Sequence, residues 1–288
     1  MAKYSIKDLE HLSGIKAHTI RIWEKRHGII EPRRSSTNIR SYSDHDLKKI
    51  ISVSMLNNQG IRISKIADMT GDEINRRITE IAELRNNATL NIDQLLIAMV
   101  DLEEELFERV LGNFVVRFGF EKTILEVIYP FLQKIGILWQ THSVTPAQEH
   151  FISNLIRQKI IVAIDGIPVP PKTAKKALLF LPEGETHEMG LLFYHFQTRS
   201  CGYRTYYLGQ NVPHEDLAAV VESHKPDLLI TSITSPPFEP IERYFKRLAT
   251  DFPAYTILAS GLQVQRYQGL KVGNVQTVMT ADQLKLWL

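Results

Sequence analysis

The chain has 288 residues, enough for about two domains with buried cores, and its 44% hydrophobic and 23% charged content is ordinary for a soluble globular protein. Cys201 is the one cysteine, which excludes an intramolecular disulfide and a cysteine-based zinc cluster. No run approaches the roughly 18 apolar residues of a membrane span and no apolar signal core opens the chain, so a cytoplasmic protein without a membrane partner is expected. The net charge of +2 conceals an asymmetry: residues 1–70 hold 13 Lys and Arg against 7 Asp and Glu, and the remainder holds 21 against 25. A basic head on a slightly acidic body points to nucleic acid as the partner of the head.

Tyr4 to Ser13 reads as a short helix, with Ser5 as N-cap and Ile6, Leu9 and Leu12 at helical spacing. Gly14 breaks it. A second helix, Lys16 to Arg26, is expected to bury Ile15, Ile20 and Trp23 and to turn Lys16, His18, Thr19 and Arg21 outward. Two short helices joined by a glycine turn form a helix-turn-helix signature, whose second helix lies in the major groove of double-stranded DNA. Residues 29–34 and 38–43 read as a two-stranded wing with Arg33, Arg34 and Arg40 along phosphates. Ser43 to Asp46 then caps a helix from Leu47 to Asn58, Gly60 stops it, and another begins at Ile61.

Three segments of this head, Ile20-Arg-Ile-Trp-Glu24, Pro32-Arg33-Arg34 and Asn38-Ile-Arg-Ser-Tyr-Ser43, resemble the winged-helix head of the MerR family from Tyr4 to about Met69. The resemblance implies binding as a dimer to a palindrome-like DNA operator. It adds Asn38 and Tyr42 to Lys16, His18, Thr19, Arg21, Arg33, Arg34 and Arg40 as the DNA-binding set.

From Asp72 to about Ile164 the periodicity is helical. Breaks at Gly112, Gly119, Pro130, Gly136 and Pro146 predict a bundle of four or five helices. A Pro-rich turn, Ile164 to Thr173, leads into the last segment. There Ala177-Leu-Leu-Phe-Leu181 reads as a buried strand, followed by Pro182-Glu-Gly-Glu185-Thr-His187-Glu-Met-Gly190. This places an imidazole at the carboxyl end of a parallel strand, the ligand-binding edge of open α/β sheets. Asp227 to Ser235 and Tyr255 to Gly261 read as further strands ending in small residues.

The ordered set Glu185-x-His187-x-x-Gly190, then Ser232-x-Thr234, then Ser260-Gly261 resembles the cobalamin-binding module of methionine synthase and the corrinoid proteins. The likeness implies a flavodoxin-like domain in which His187 is the lower axial ligand of cobalt and Glu185 the carboxylate holding its other ring nitrogen. Ser232 would bond the buried nucleotide tail, and Ser260-Gly261 would leave room for it. Glu185, Thr234 and Ser260 depart from the family's Asp, Leu and Gly.

Trp139, nine residues and then Glu149-His150 resemble the helical cap of CarH/LitR-type photoreceptor repressors. That resemblance spans nearly the whole chain and implies adenosylcobalamin, with its adenosyl group against Trp139, Glu149 and His150. Several such receptors carry a His directly after the Trp to capture cobalt once light has broken the cobalt–carbon bond. Here that position is Gln140, and His142 is the nearest alternative upper ligand.

The expected organisation is multidomain: a winged helix-turn-helix head at 1–71, a helical-bundle cap at 72–166 and a parallel-sheet cobalamin-binding domain at 175–288. The expected function is a DNA-binding repressor, not an enzyme, that is controlled by cobalamin or light and self-associates as a dimer or tetramer. Two rivals remain: a corrinoid methyl carrier of an enzyme system, and a MerR-like regulator whose decayed pocket has given way to control by a protein partner.

Overall fold

The computed structural model describes residues 4–85, 88–140, 144–237, 239–267 and 272–288. It divides into two compact units, Met1–Ile156 and Arg157–Leu288. Among the described residues no helix is long and apolar enough to cross a membrane.

The first unit is helical apart from a small hairpin. Ser5 caps α1 (Ile6–Ser13) reciprocally: its hydroxyl accepts from the Asp8 amide, and the Asp8 carboxylate accepts from the Ser5 amide at 2.7 Å. Leu9 and Leu12 bury one face, and Gly14 ends the helix at φ +71°. In α2 (Ala17–His27), Ile20 and Trp23 are buried, while Ile15, just before the helix, is only half-buried. β1 (Arg33–Arg34) and β2 (Arg40–Ser41) pair antiparallel as the wing. The strands are shorter than the sequence suggested, because every residue from Arg33 to Ile39 is exposed and no apolar face draws the arms onto a core. A bridge between Tyr4 and Tyr42 joins the base of the wing to the start of the head.

A second reciprocal cap, Ser43 with Asp46, starts α3 (Asp44–Asn58). Its buried run from Ile50 to Leu56 makes it the central helix of the unit. It packs on α1, on α4 (Ile63–Ala67), on α5 (Gly71–Arg85) and on α6 (Ala88–Asp101). Then come α7 (Glu104–Phe118), α8 (Phe120–Thr123), a π-helical turn Ile124–Ile128, α9 (Tyr129–Gln140) and α10 (Pro146–Asp165). Of the expected breaks only Gly119 and Pro146 separate helices; Gly112 and Gly136 ride inside α7 and α9. Pro130 is carried in the first turn of α9 because the π turn precedes it. There Tyr129 N–H bonds Ile124 O, and the wider turn relieves the clash a proline ring makes with the carbonyl four residues back. Pro146 opens α10 where its missing N–H costs nothing, and Thr145 and Gln148 close the cap, the Thr145 amide donating to Gln148 Oε1 at 3.1 Å.

The second unit is an α/β domain. β3 (Lys176–Pro182), β4 (Arg204–Val212), β5 (Leu228–Ser232), β6 (Thr256–Ser260) and β7 (Val275–Thr277) form a parallel sheet in the order β4-β3-β5-β6-β7. The helices are α11 (Met189–Ser200), α12 (His214–His224), α13 (Ile241–Asp251), α14 (Leu262–Gln265) and α15 (Ala281–Lys285). Residues of β3 alternate between two cores, which explains why the strand reads as an unbroken apolar run. Leu178 and Phe180 pack with Leu217, Tyr244 and Phe245 of α12 and α13. Ala177, Leu179 and Leu181 pack with Leu191, Tyr194 and Leu284 of α11 and α15. The strand order is flavodoxin-like and reverses at β3, so the loops after β3 and β5 part there and open a crevice at their carboxyl ends. β4 and β7 were not foreseen: β4 is an edge strand of mostly half-buried residues, and β7 has only three residues.

Candidate functional site

In the head, burial of Ile20 and Trp23 sets the rotation of α2 and leaves Lys16, His18 and Arg21 exposed and Thr19 half-buried. Lys16 reaches Glu10 Oε1 at 3.2 Å. Arg33, Arg34 and Asn38 are exposed on the wing. Asn38 takes φ +62° at the hairpin and accepts from Arg34 Nη1 at 2.7 Å, so a positive-φ turn residue also positions a wing arginine.

Arg40 and Tyr42 are placed differently. Arg40 Nε donates to Glu24 Oε1 at 3.3 Å, and the Tyr42 hydroxyl donates to Glu24 Oε2 at 3.4 Å. Tyr42 is only 1% exposed; burial, then the neighbouring Glu24 charge, push its hydroxyl up to about 12, so it stays a neutral donor. Both side chains clamp the wing to α2 through Glu24, a residue the sequence had offered only as part of a motif.

In the second unit, the crevice at the switch point is built around Glu185, 3% exposed. Its Oε1 accepts from the amides of Thr186 and His187, both at 2.9 Å, and stands 2.9 Å from His187 Nδ1. Its Oε2 accepts from the amides of Thr234 and Ser235, both at 2.7 Å, and the Ser235 hydroxyl donates to Oε1 at 3.0 Å. One carboxylate thus ties the loop after β3 to the loop after β5. Burial alone would raise its pKa. The His187 imidazole and the amides of His187, Ser235 and Thr234 outweigh burial and hold the carboxyl far below the usual carboxylate range.

With Nδ1 held by Glu185 and by Ser235 at 2.8 Å, the ring of His187 is oriented while its side chain stays 62% exposed. Nε2 is therefore the nitrogen this arrangement offers to a metal. Among the described residues no group of three or more His, Cys, Asp or Glu is placed to hold a metal ion.

Gly190 opens α11 against Ser232, where a Cβ would lie 3.8 Å from Ser232 Oγ. Ser232 is buried at the end of β5, and Ser260 Oγ donates to Thr231 O at 3.2 Å. Gly261 is demanded by the backbone itself: at φ +104° any Cβ would fall 2.3 Å from Ile233 O. Thr234 enters the site through its amide, its side chain playing no part in the lock.

Three contributors were not legible in the sequence. Ser235 lies just past Ser232-x-Thr234. Asn211 Oδ1 accepts from the Gly184 amide at 2.8 Å and braces the loop from β4. Glu188, 7% exposed beside His187, accepts from Arg157 Nε at 2.5 Å and from the Tyr207 hydroxyl at 2.9 Å. Hydrophilic residues next to strand ends were the available signal.

Glu149 and His150 lie in the first turn of α10, in the first unit. Glu149 accepts from Ser153 Oγ at 2.6 Å and stands 3.0 Å from His150 Nδ1; the His150 side chain is 71% exposed. Trp139 and Gln140 end α9. The side chains of Trp139 and Gln140, and the whole of His142, lie outside the described residues.

Residues 4–72 match the model of the MerR HTH family regulatory proteins, and residues 91–163 match the B12 binding domain. The second match falls on the helices that carry Trp139, Glu149 and His150. Head and matches together define a class of chain, one that joins a MerR-type helix-turn-helix head to a segment matching a B12 binding domain.

Within that class the chain is similar to the HTH-type transcriptional repressor CarH of Myxococcus xanthus, 29% identical over 257 residues, covering 87% of this chain and 85% of that protein. It is also similar to the HTH-type transcriptional repressor CarA of the same organism, at 27% identity, covering 79% and 75%. The fold matches the monomethylamine corrinoid protein of Methanosarcina barkeri with a TM-score of 0.59 at 16% identity, covering 70% of this chain and 98% of that one. At that identity the likeness concerns fold alone.

Proposed function

We propose that the chain is a cobalamin-responsive transcriptional repressor. Its organisation is read as a DNA-binding head at 1–71, a helical cap at 72–166 and a cobalamin-binding domain at 175–288. The observation that carries the reading is the Glu185 lock, which holds His187 at the switch point with Nδ1 engaged and its side chain exposed. His187 is the lower cobalt ligand, Glu185 fixes its tautomer and raises its basicity, and Gly190, Ser232, Thr234, Ser260 and Gly261 line the same edge.

Adenosylcobalamin is the form proposed, and it supplies a light-labile cobalt–carbon bond. Trp139, Glu149 and His150 serve the adenosyl group, an aromatic plane and two polar side chains suiting a nucleoside. Occupancy changes self-association as dimer or tetramer and hence whether two heads reach one operator; this requires the ligand to prefer one assembly. The relatives named as repressors support the sign of regulation. A methyl carrier has no use for a DNA-reading head, which disfavours that rival.

The test is the absorption spectrum and elution volume of the purified chain with adenosylcobalamin in the dark and after green light. A His-ligated corrinoid spectrum in wild type that is lost in His187→Ala is expected, with a dark assembly that loosens on illumination. His142→Ala and Gln140→His test the upper ligand. Absence of bound corrinoid returns the decayed-pocket rival, and an assembly unchanged by photolysis removes light as the signal.

A further inference from the structure

The recognition helix turns one apolar side chain outward among its basic ones. Ile20 and Trp23, at 0% and 6% exposure, pin α2 to the head. The opposite strip at helical spacing is His18, Arg21, Ile22 and Lys25, all exposed, with Ile22 45% exposed. A single exposed isoleucine elsewhere would need no explanation. This one lies on the strip that a helix-turn-helix head presents to the major groove, flanked by the two cations that bring that strip to phosphates and base edges. In that groove one base alone offers an apolar group, the C5-methyl of thymine. Isoleucine is also stiff: in a helix its β-branch leaves one strongly preferred χ1, so its methyls are presented without loss of side-chain freedom on binding.

We infer that Ile22 is a specificity-determining residue that reads a thymine methyl in each operator half-site. It supplies direct readout where Arg33 and Arg34 on the wing supply sequence-independent attraction. The inference rests on the DNA-binding role of the head and concerns its discrimination, not its affinity for DNA in general.

The experiment uses duplex DNA selected from a random-sequence pool by the full chain. Each thymine of the selected site is replaced singly by deoxyuridine, which removes the methyl and nothing else. Wild type is expected to bind about four-fold more weakly when one thymine in a half-site is replaced, the worth of one buried methyl group. Ile22→Ala is expected to bind thymine and uracil duplexes equally at that position, and Ile22→Val, which keeps the β-branch, to retain most of the preference. Uniform binding of wild type to every deoxyuridine duplex overturns the inference, as does an Ile22→Ala variant that keeps the wild-type penalty. Arg33→Ala is run in parallel at fixed salt. If it binds as tightly as wild type, the winged-helix reading of the head fails, a result distinct from failure of Ile22.

Discussion

Replacing Glu185 by Gln tests whether one carboxylate holds the two loops of the switch point together. The side chain keeps its shape, but one acceptor oxygen becomes an NH2 group. In the native site Oε1 faces two amides, the imidazole and the Ser235 hydroxyl, and Oε2 faces the amides of Thr234 and Ser235 at 2.7 Å. The less costly orientation of the amide keeps its oxygen toward the imidazole, which leaves the Thr234 and Ser235 N–H groups pointing at donors. An unsatisfied donor costs about 1–3 kcal/mol; Thr234 and Ser235 are half-buried, so each of the two takes the lower part of that range, about 1–2 kcal/mol, and a loss of about 2–4 kcal/mol in local stability is expected.

Hydrogen exchange reads that loss where it occurs. Protection of the Thr234 and Ser235 amides should fall by about 30- to 700-fold, ten-fold for each 1.4 kcal/mol, while amides of β6 keep theirs. Wild type should also respond to acid. A carboxyl whose folded pKa is depressed stabilises the site fully above its ordinary value of 4.5, and that contribution is lost as pH falls from there toward the folded value. The Gln variant should lack this pH dependence. Unchanged protection at Thr234 and Ser235 in Glu185→Gln would refute the account of the site.

Gly261→Ala places a Cβ 2.3 Å from Ile233 O on a backbone at φ +104°, and should destabilise by about 3 kcal/mol or more, visible as a lowered thermal midpoint. Ser260→Gly, by contrast, loses hydrogen bonds to Thr231 O and with the Tyr194 hydroxyl and puts glycine inside a strand, and should cost about 2 kcal/mol in the same melt. Arg33→Ala and Arg34→Ala should each flatten the dependence of DNA affinity on salt by about one unit of log–log slope, measured by fluorescence anisotropy, without changing sequence preference. Tyr42→Phe should weaken DNA binding only modestly, as expected of a residue that clamps the wing from below, and a loss as large as that of Arg33→Ala would place Tyr42 at the DNA.

Much of this protein was legible in the chain itself. Ser5, Gly14, Ser43 and Gly60 punctuate the head because caps and left-handed turns are local chemistry, settled by residues three or four apart. The apolar run Ala177–Leu181 declared a strand covered on both faces, and Glu185-x-His187-x-x-Gly190 after it declared an imidazole at the carboxyl end of that strand, because strand and loop are contiguous. Glycine and proline in the middle segment were less reliable. Gly112 and Gly136 are carried by helices stabilised through packing, and Pro130 is accommodated by a π turn, so tertiary contacts override local propensity there.

What only the folded chain decided are the long-range pairings. Fifty residues separate Glu185 from Ser235, and sixteen separate Glu24 from Arg40. Nothing in periodicity or composition tells which donors a buried carboxylate will collect, since the partners are chosen by strand order and by which loops part at β3. For the same reason the need for glycine at 261 set by the backbone of Ile233, which a Cβ would approach to 2.3 Å, shows only once the ends of β5 and β6 lie side by side.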